Sequence, residues 1–110
     1  MSRKGRNLYA YTSPFEQRYL LFVRMEKYPN GGDRIQLYDS EDGSPYATAT
    51  AHTVESLEPG EVAIKNWSEN EGILEFLVEN RFVEKPHRFV KQGFVRIPIC
   101  KLISYTEPGL

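Results

Sequence analysis

Few residues in this chain could do chemistry, and none stands in a recognisable catalytic or metal-binding pattern. Cys100 is the single cysteine, and His52 and His87 are the two histidines. One cysteine cannot form an internal disulfide or a multi-cysteine zinc site. The apolar residues beside Cys100 are typical of an inert, buried thiol rather than a nucleophile. With no glycine-rich phosphate loop or nucleophile elbow either, the sequence predicts no enzyme, no metal and no cofactor.

The unusual feature is where the acidic side chains lie. The whole chain of 110 residues has a net charge of −1, but residues 1–40 carry +3, residues 41–80 carry −8 and residues 81–110 carry +4. The balanced total excludes a generally basic nucleic-acid binder, and the 40% apolar content excludes a highly charged disordered chain. Two interpretations stay open. Either folding interleaves these charges, or the acidic middle forms a face that is attracted to a basic groove on a partner.

A helix predicted over residues 69–80 would position much of this acidic charge. Ser68 and Glu71 have the spacing of a capping box, and Asn80 is a residue type that often ends helices. Helical periodicity gathers apolar residues on one side and glutamates on the other. The apolar side consists of Ile73, Phe76 and Leu77, widened by Leu74 and Val78.

The predicted partner-binding residues are these glutamates together with two tyrosines near the start of the chain. Tyrosine offers a large contact area at a low entropic cost, which suits a binding surface. The tyrosines lie in a polar segment, residues 1–14, that the sequence predicts to be a flexible arm, and their packing into the core is the other interpretation. The candidate site residues are Glu69, Glu71, Glu75, Glu79, Tyr9 and Tyr11.

The elements around the helix predict an α+β fold: an antiparallel or mixed sheet of about five strands with one helix packed on one face. Residues 15–110 would form this single domain. Ala47, Ala49 and Ala51 share one strand face and leave space for the helix to pack. Pro98 lacks an N–H donor, which favours an edge strand or a bulge and leaves a homodimer through that edge open. The predicted strands are residues 18–28, 34–39, 45–52, 61–66 and 93–104.

The N-terminus predicts the compartment. Residues 1–6 are basic and polar, and no apolar stretch follows them. A secretory signal peptide needs such a stretch, and a membrane span needs a longer one. We therefore expect a cytoplasmic location in a bacterial host cell, with no membrane partner.

Four segments resemble a family of short proteins from phages, plasmids and gut bacteria. They are residues 35–38 (IQLY), 43–48 (GSPYAT), 61–72 (EVAIKNWSENEG) and 93–100 (GFVRIPIC). The family is a domain of unknown function, and the resemblance covers the chain from Ile35 to about Leu102. It implies a mobile-element origin and a non-catalytic accessory role, and it supplies no active site. In size and charge layout the chain is also similar, by analogy of type only, to anti-CRISPR inhibitors.

Together these observations lead to two functional expectations. The first is an anti-CRISPR-like inhibitor that contacts a host nucleic-acid-handling protein through its acidic face. The second is a nucleic-acid-binding accessory or regulatory protein that uses Arg3, Lys4 and Arg6 in the arm and the basic connector at residues 85–88.

Overall fold

Residues 7–53 and 55–103, which the computed structural model describes, form an α+β fold with two antiparallel sheets. One sheet has four strands and the other has three, and a single α-helix, α1 (Ile73–Glu79), follows a 3₁₀ turn (Ser68–Asn70). The strands are β1 (Tyr9–Thr12), β2 (Arg18–Lys27), β3 (Asp33–Asp39), β4 (Pro45–Thr48), β5 (Glu61–Ala63), β6 (Arg88–Gln92) and β7 (Val95–Lys101).

The four-stranded sheet is a meander in the order β1-β2-β3-β4. Its alternating sequences place Leu21, Ile35 and Leu37 on one face, where all three are fully buried. Strand β1 pairs with β2 so that Tyr11 lies opposite Tyr19. The prediction of a flexible arm over residues 1–14 is therefore wrong for β1, because its aromatic side chains pack into the core. Residues 1–6 of that arm lie outside the described residues.

The three-stranded sheet has the order β5-β7-β6, which places Pro98 in the central strand. The prediction that Pro98 marks an edge strand is wrong, so Pro98 gives no support to pairing of two copies through β7, and the homodimer stays a prediction. The Pro98 carbonyl oxygen accepts a hydrogen bond from the Ile64 N–H at 3.0 Å, so the backbone polar groups of Pro98 face the β5 side. Strand β5 ends at Ala63, directly before Ile64. The N–H that Pro98 lacks would therefore face the place where the hydrogen bonds between β5 and β7 end.

The sequence predicted about five strands in one sheet, whereas the described residues contain seven strands in two. Strand β1 was assigned to the arm, and β6 was not predicted: Arg88 was assigned to the basic connector and residues 89–92 to no element. The predicted strand over residues 45–52 stops at Thr48, after which Thr50 forms an isolated antiparallel bridge with Ile64. This bridge joins the two sheets side by side.

Both sheets contribute to a larger core that also contains α1. Leu37 and Tyr11 from the first sheet, Val62 and Cys100 from the second, and Leu77 from the helix belong to it. Ala49 is fully buried in the same core as Leu77, as the alanine pattern predicts. A smaller core covers the opposite face of the three-stranded sheet with Ala63, Val90, Ile97 and Ile99.

Candidate interaction surface

The acidic segment is built differently from the predicted helix. Ser68 does not cap it: Ser68 begins the 3₁₀ turn with a φ of 58°, and neither helical segment has a side-chain hydrogen bond from its N-cap residue. Gly72 interrupts the segment with a left-handed φ of 95°, a conformation that glycine tolerates best. The predicted capping box is therefore wrong, and the predicted helix over residues 69–80 is a 3₁₀ turn followed by a seven-residue helix.

Two asparagines hold this segment in place. The Asn66 Oδ1 accepts a hydrogen bond from the Leu74 N–H at 2.9 Å and so satisfies a donor in the first turn of α1. The buried Asn70 donates from Nδ2 to the Thr48 carbonyl oxygen at 2.9 Å and ties the 3₁₀ turn to β4. These side chains fix the break in the backbone, which fixes where the glutamates of the segment point.

Glu69 differs from the other three glutamates of the predicted face. Its carboxylate pairs with Lys65 at 2.8 Å, and the hydrogen bond from Lys65 is the main reason why the pKa of Glu69 is lowered. Both side chains are accessible to solvent, so the pair adds little to stability. Its main consequence is that the Glu69 charge is partly neutralised at the surface.

We define the acidic surface as the remaining three residues, Glu71, Glu75 and Glu79. All three are exposed, and none forms an ion pair with the part of the chain that the structure describes. Glu75 and Glu79 lie four residues apart on α1, where like charges repel each other. Glu79 is also the last helical residue, at the end where the helix dipole disfavours negative charge. The acidic surface therefore carries charge that the fold itself does not use.

The predicted contact residues Tyr9 and Tyr11 support this surface from beneath. Tyr11 is 5% exposed, and its ring packs edge-on against Phe76 of α1 at 5.3 Å between centroids. Its hydroxyl donates to the Glu71 carbonyl oxygen at 3.2 Å. Tyr9 is partly buried and packs against Phe76 and Phe82. The prediction that these tyrosines contact a partner directly is wrong for Tyr11, because its side chain is enclosed by the core.

Tyr11 also interacts electrostatically with the acidic surface. Burial of the Tyr11 hydroxyl raises its pKa first, and the negative charge of Glu75 raises it further. Tyr11 therefore joins β1 to the acidic surface through both a hydrogen bond and a charge interaction. Tyr11 is therefore a residue that positions the acidic surface.

The basic connector at residues 85–88 is largely occupied within the fold. Arg88 Nη2 lies 2.9 Å from Glu61 Oε1, and His87 Nε2 lies 2.6 Å from Glu61 Oε2. The Glu58 backbone N–H donates to Glu61 Oε1 at 2.9 Å, and Arg88 Nη1 reaches Glu55 Oε1 at 3.3 Å. Bonds from Arg88, the Glu58 backbone and His87, in that order, hold the pKa of Glu61 at about 2. This Glu61 network connects β5 to β6 across β7.

The network weakens the second functional expectation. Arg88 and His87 of the connector already contact the buried Glu61, whereas Lys85 forms no ion pair with the described residues. The arm cations Arg3, Lys4 and Arg6 lie outside the described residues. Nucleic-acid binding by the arm and connector therefore stays a prediction.

The remaining candidates from the sequence lie in structural positions. Cys100 is fully buried in the larger core, and burial raises the pKa of its thiol to about 11, which disfavours the thiolate. Within residues 7–53 and 55–103, no group of three or more histidine, cysteine or carboxylate side chains is placed to hold a metal. No helix in those ranges is long and apolar enough to span a bilayer.

Sequence reasoning missed one feature, the hairpin formed by β6 and β7. Two exposed aromatic residues, Phe89 and Phe94, and two cations, Lys91 and Arg96, lie on or beside it. The sequence signal for this hairpin was Gly93, a residue type that favours hairpin turns, between two segments in which apolar and polar residues alternate. In the structure Gly93 has a positive φ of 61°. The predicted connector ended at residue 88 and the predicted strand began at residue 93, so residues 89–92 were not recognised as a strand.

Comparison of the chain with known protein families, with curated proteins and with solved structures finds no match. The resemblance to short mobile-element proteins therefore stays a prediction.

Proposed function

We propose that this chain is a non-catalytic phage or mobile-element protein that binds a bacterial defence protein through its acidic surface. The partner would be one that handles nucleic acid, such as a CRISPR effector, and the acidic surface would occupy its basic groove. The observation that carries the proposal is the exposed set of Glu71, Glu75 and Glu79, without a cation partner among the described residues.

The charges of Glu75 and Glu79 reduce the stability of α1, and this cost supports the proposal. Two like charges at positions i and i+4, with one of them at the helix C-terminus, reduce helix stability. A basic groove would remove both penalties, because cations of the partner would neutralise the carboxylates. Charge complementarity of this kind raises the association rate and selects the partner.

The supporting elements suit a docking surface because they are tied to the core. Tyr11 contacts Phe76 from below, Asn66 bonds to the first turn of α1, and Asn70 bonds to β4. A surface held in this way loses little conformational entropy when it binds, which favours affinity. The contacts of Tyr11, Asn66 and Asn70 therefore favour binding by this surface.

The test reverses the charge of the acidic surface without touching the core. The double variant Glu75→Lys, Glu79→Lys should fold normally, because both residues are exposed. A control, Glu16→Lys with Glu41→Lys, makes the same change in net charge at exposed positions in two turns of the four-stranded sheet. Binding partners are captured from bacterial lysate on each of the three immobilised proteins and identified by mass spectrometry.

A supporting result has two parts. Wild type and control should capture the same nucleic-acid-handling protein and block its binding to nucleic acid, with an effect that declines as salt is raised. The double variant should neither capture nor block that protein. Equal capture and inhibition by the double variant would rule out the acidic surface as the binding site.

A further inference from the structure

The hairpin of β6 and β7 presents apolar side chains that the fold leaves uncovered. Gly93 and Phe94 form its two-residue turn, which is closed by the Gln92–Val95 pair. A positive φ at Gly93 and none at Phe94 suits a type II′ turn. Phe94 is fully exposed at the tip, and Phe89 on β6 is 47% exposed. Phe94 contributes nothing to the core, so its ring is accessible to a ligand.

The same hairpin carries positive charge that the fold does not neutralise. Residues 85–101 contain five lysines and arginines and no aspartate or glutamate. Arg88 is paired with Glu61, and Lys101 lies opposite Glu61 in the sheet. Lys91 and Arg96 form no ion pair with residues 7–53 or 55–103.

Lys91 and Arg96 are direct cross-strand partners, which places two like charges side by side. Because Gln92 and Val95 close the turn as a hydrogen-bonded pair, Lys91 and Arg96 form the next, non-hydrogen-bonded pair, in which side chains approach most closely. Like charges in this arrangement destabilise a sheet. An anion between them would remove the repulsion, which is the reason to place a phosphate there.

Aromatic rings lie beside this pair of cations. Phe89, two residues before Lys91, is on the same face of the hairpin, and the Arg96 guanidinium lies 4.5 Å from its ring centroid. Phe94 at the tip is free to expose a ring face to solvent. Cations that alternate with exposed aromatic rings are the combination by which proteins hold single strands, with phosphates on the cations and bases stacked on the rings.

We infer that the β6–β7 hairpin binds single-stranded nucleic acid, with phosphates at Lys91 and Arg96 and a base stacked on Phe94. A single strand fits better than a duplex because its bases are free to stack on a protein ring. This hairpin lies on other elements than the acidic surface and takes a ligand of opposite charge. The inference therefore stands whether or not the proposed function is correct.

The first test measures stacking. Binding of a fluorescein-labelled oligothymidylate and an oligouridylate to the full chain is followed by fluorescence anisotropy. Phe94→Ala should weaken binding by about 5- to 150-fold, the range expected for the loss of one base–aromatic stack. Phe15→Ala is the matched control, since Phe15 is also exposed, at 77%, in another turn. The control should bind like the wild type.

The second test measures phosphate contacts by their salt dependence. The plot of log Kd against log salt concentration for Lys91→Gln with Arg96→Gln should lose about 1.4 units of slope, or about 0.7 for each cation. Arg18→Gln with Arg24→Gln removes the same charge from exposed positions on β2 and should keep the wild-type slope. Thermal melting of each variant checks that it is folded.

Three results would overturn the inference. One is no binding of either oligonucleotide by the wild type, and another is equal loss of slope in the two pairs of variants, which would show unspecific attraction. The third is binding of duplex DNA or polyglutamate at least as tightly, with the same dependence on Phe94. That outcome would assign the hairpin to a duplex or to an acidic protein segment.

Discussion

Glu61 and the acidic surface show one residue type in two opposite settings. Glu61 is 7% exposed, and its carboxylate contacts Arg88, His87 and the Glu58 backbone. Glu75 and Glu79 are exposed on α1 and have no ion pair with the described residues. The difference separates charge that builds the fold from charge that is left for a partner.

Folding pairs part of the acidic middle of the chain with cations. Residues 41–80 have a net charge of −8, but Glu55, Glu61 and Glu69 in that range pair with cations, two of them with Arg88 from the basic C-terminal third. The interleaving interpretation is therefore correct for these three residues. It does not describe Glu71, Glu75 and Glu79 around α1, nor Glu41, Asp42 and Glu58 in two turns, none of which forms an ion pair with the described residues. Half of the unpaired acidic residues of this range therefore lie on the segment around α1.

Removing the Glu61 carboxylate should have the largest effect. Glu61→Ala leaves Arg88 and the Glu58 N–H without their partner, and we expect the free energy of unfolding to fall by about 2–3 kcal/mol. Urea denaturation measures it. The control is Glu58→Ala, since only the Glu58 backbone contributes to the network, and it should stay within about 0.5 kcal/mol of wild type. Equal losses for both variants would show that the network does not stabilise the fold.

Acid should weaken the same network more gradually. The pKa of Glu61 is lowered from 4.5 to about 2, so the folded state favours the carboxylate and stability is fully present above pH 4.5. It should be lost progressively as pH falls from 4.5 toward 2. The urea midpoint between those pH values should decline less steeply in Glu61→Gln than in wild type. A decline of equal steepness would show that other groups cause the acid sensitivity.

Local sequence patterns predicted the features that neighbouring residues determine. They missed the features that depend on contacts between residues far apart in the chain. The hairpin turn before β3, the buried face of α1 and the packing of Ala49 follow from residue type and spacing. The predicted capping box is wrong because the segment is broken at Gly72, in a left-handed conformation, and tied to Thr48 by Asn70, neither of which a short pattern shows. The Glu61 network joins residues 26 and 27 positions apart, so no local pattern indicated that His87 and Arg88 of the basic connector contact Glu61.

Asn66 and Ser68 offer a direct test of how α1 begins. Asn66→Ala removes the acceptor of the Leu74 N–H and should reduce stability by about 0.5–2 kcal/mol, the usual cost of losing a helix cap. Ser68→Ala removes no capping bond and should change stability by less than about 0.5 kcal/mol. The difference in urea midpoint between the two variants measures the effect. A larger loss in Ser68→Ala would restore the capping box.

The smallest predicted effect has the opposite sign to that at Glu61. Glu79→Gln removes a negative charge from the last residue of α1 and from its repulsion with Glu75, so stability should rise by about 0.3–0.5 kcal/mol. Glu75→Gln relieves the same repulsion but loses a favourable charge in the first helical turn, and its net change should be close to zero. Thermal melts at low salt measure both changes, and high salt should abolish the gain. A loss of stability in Glu79→Gln would mean that the fold itself uses this carboxylate, which would remove Glu79 from the acidic surface and leave Glu71 and Glu75 to bind a partner.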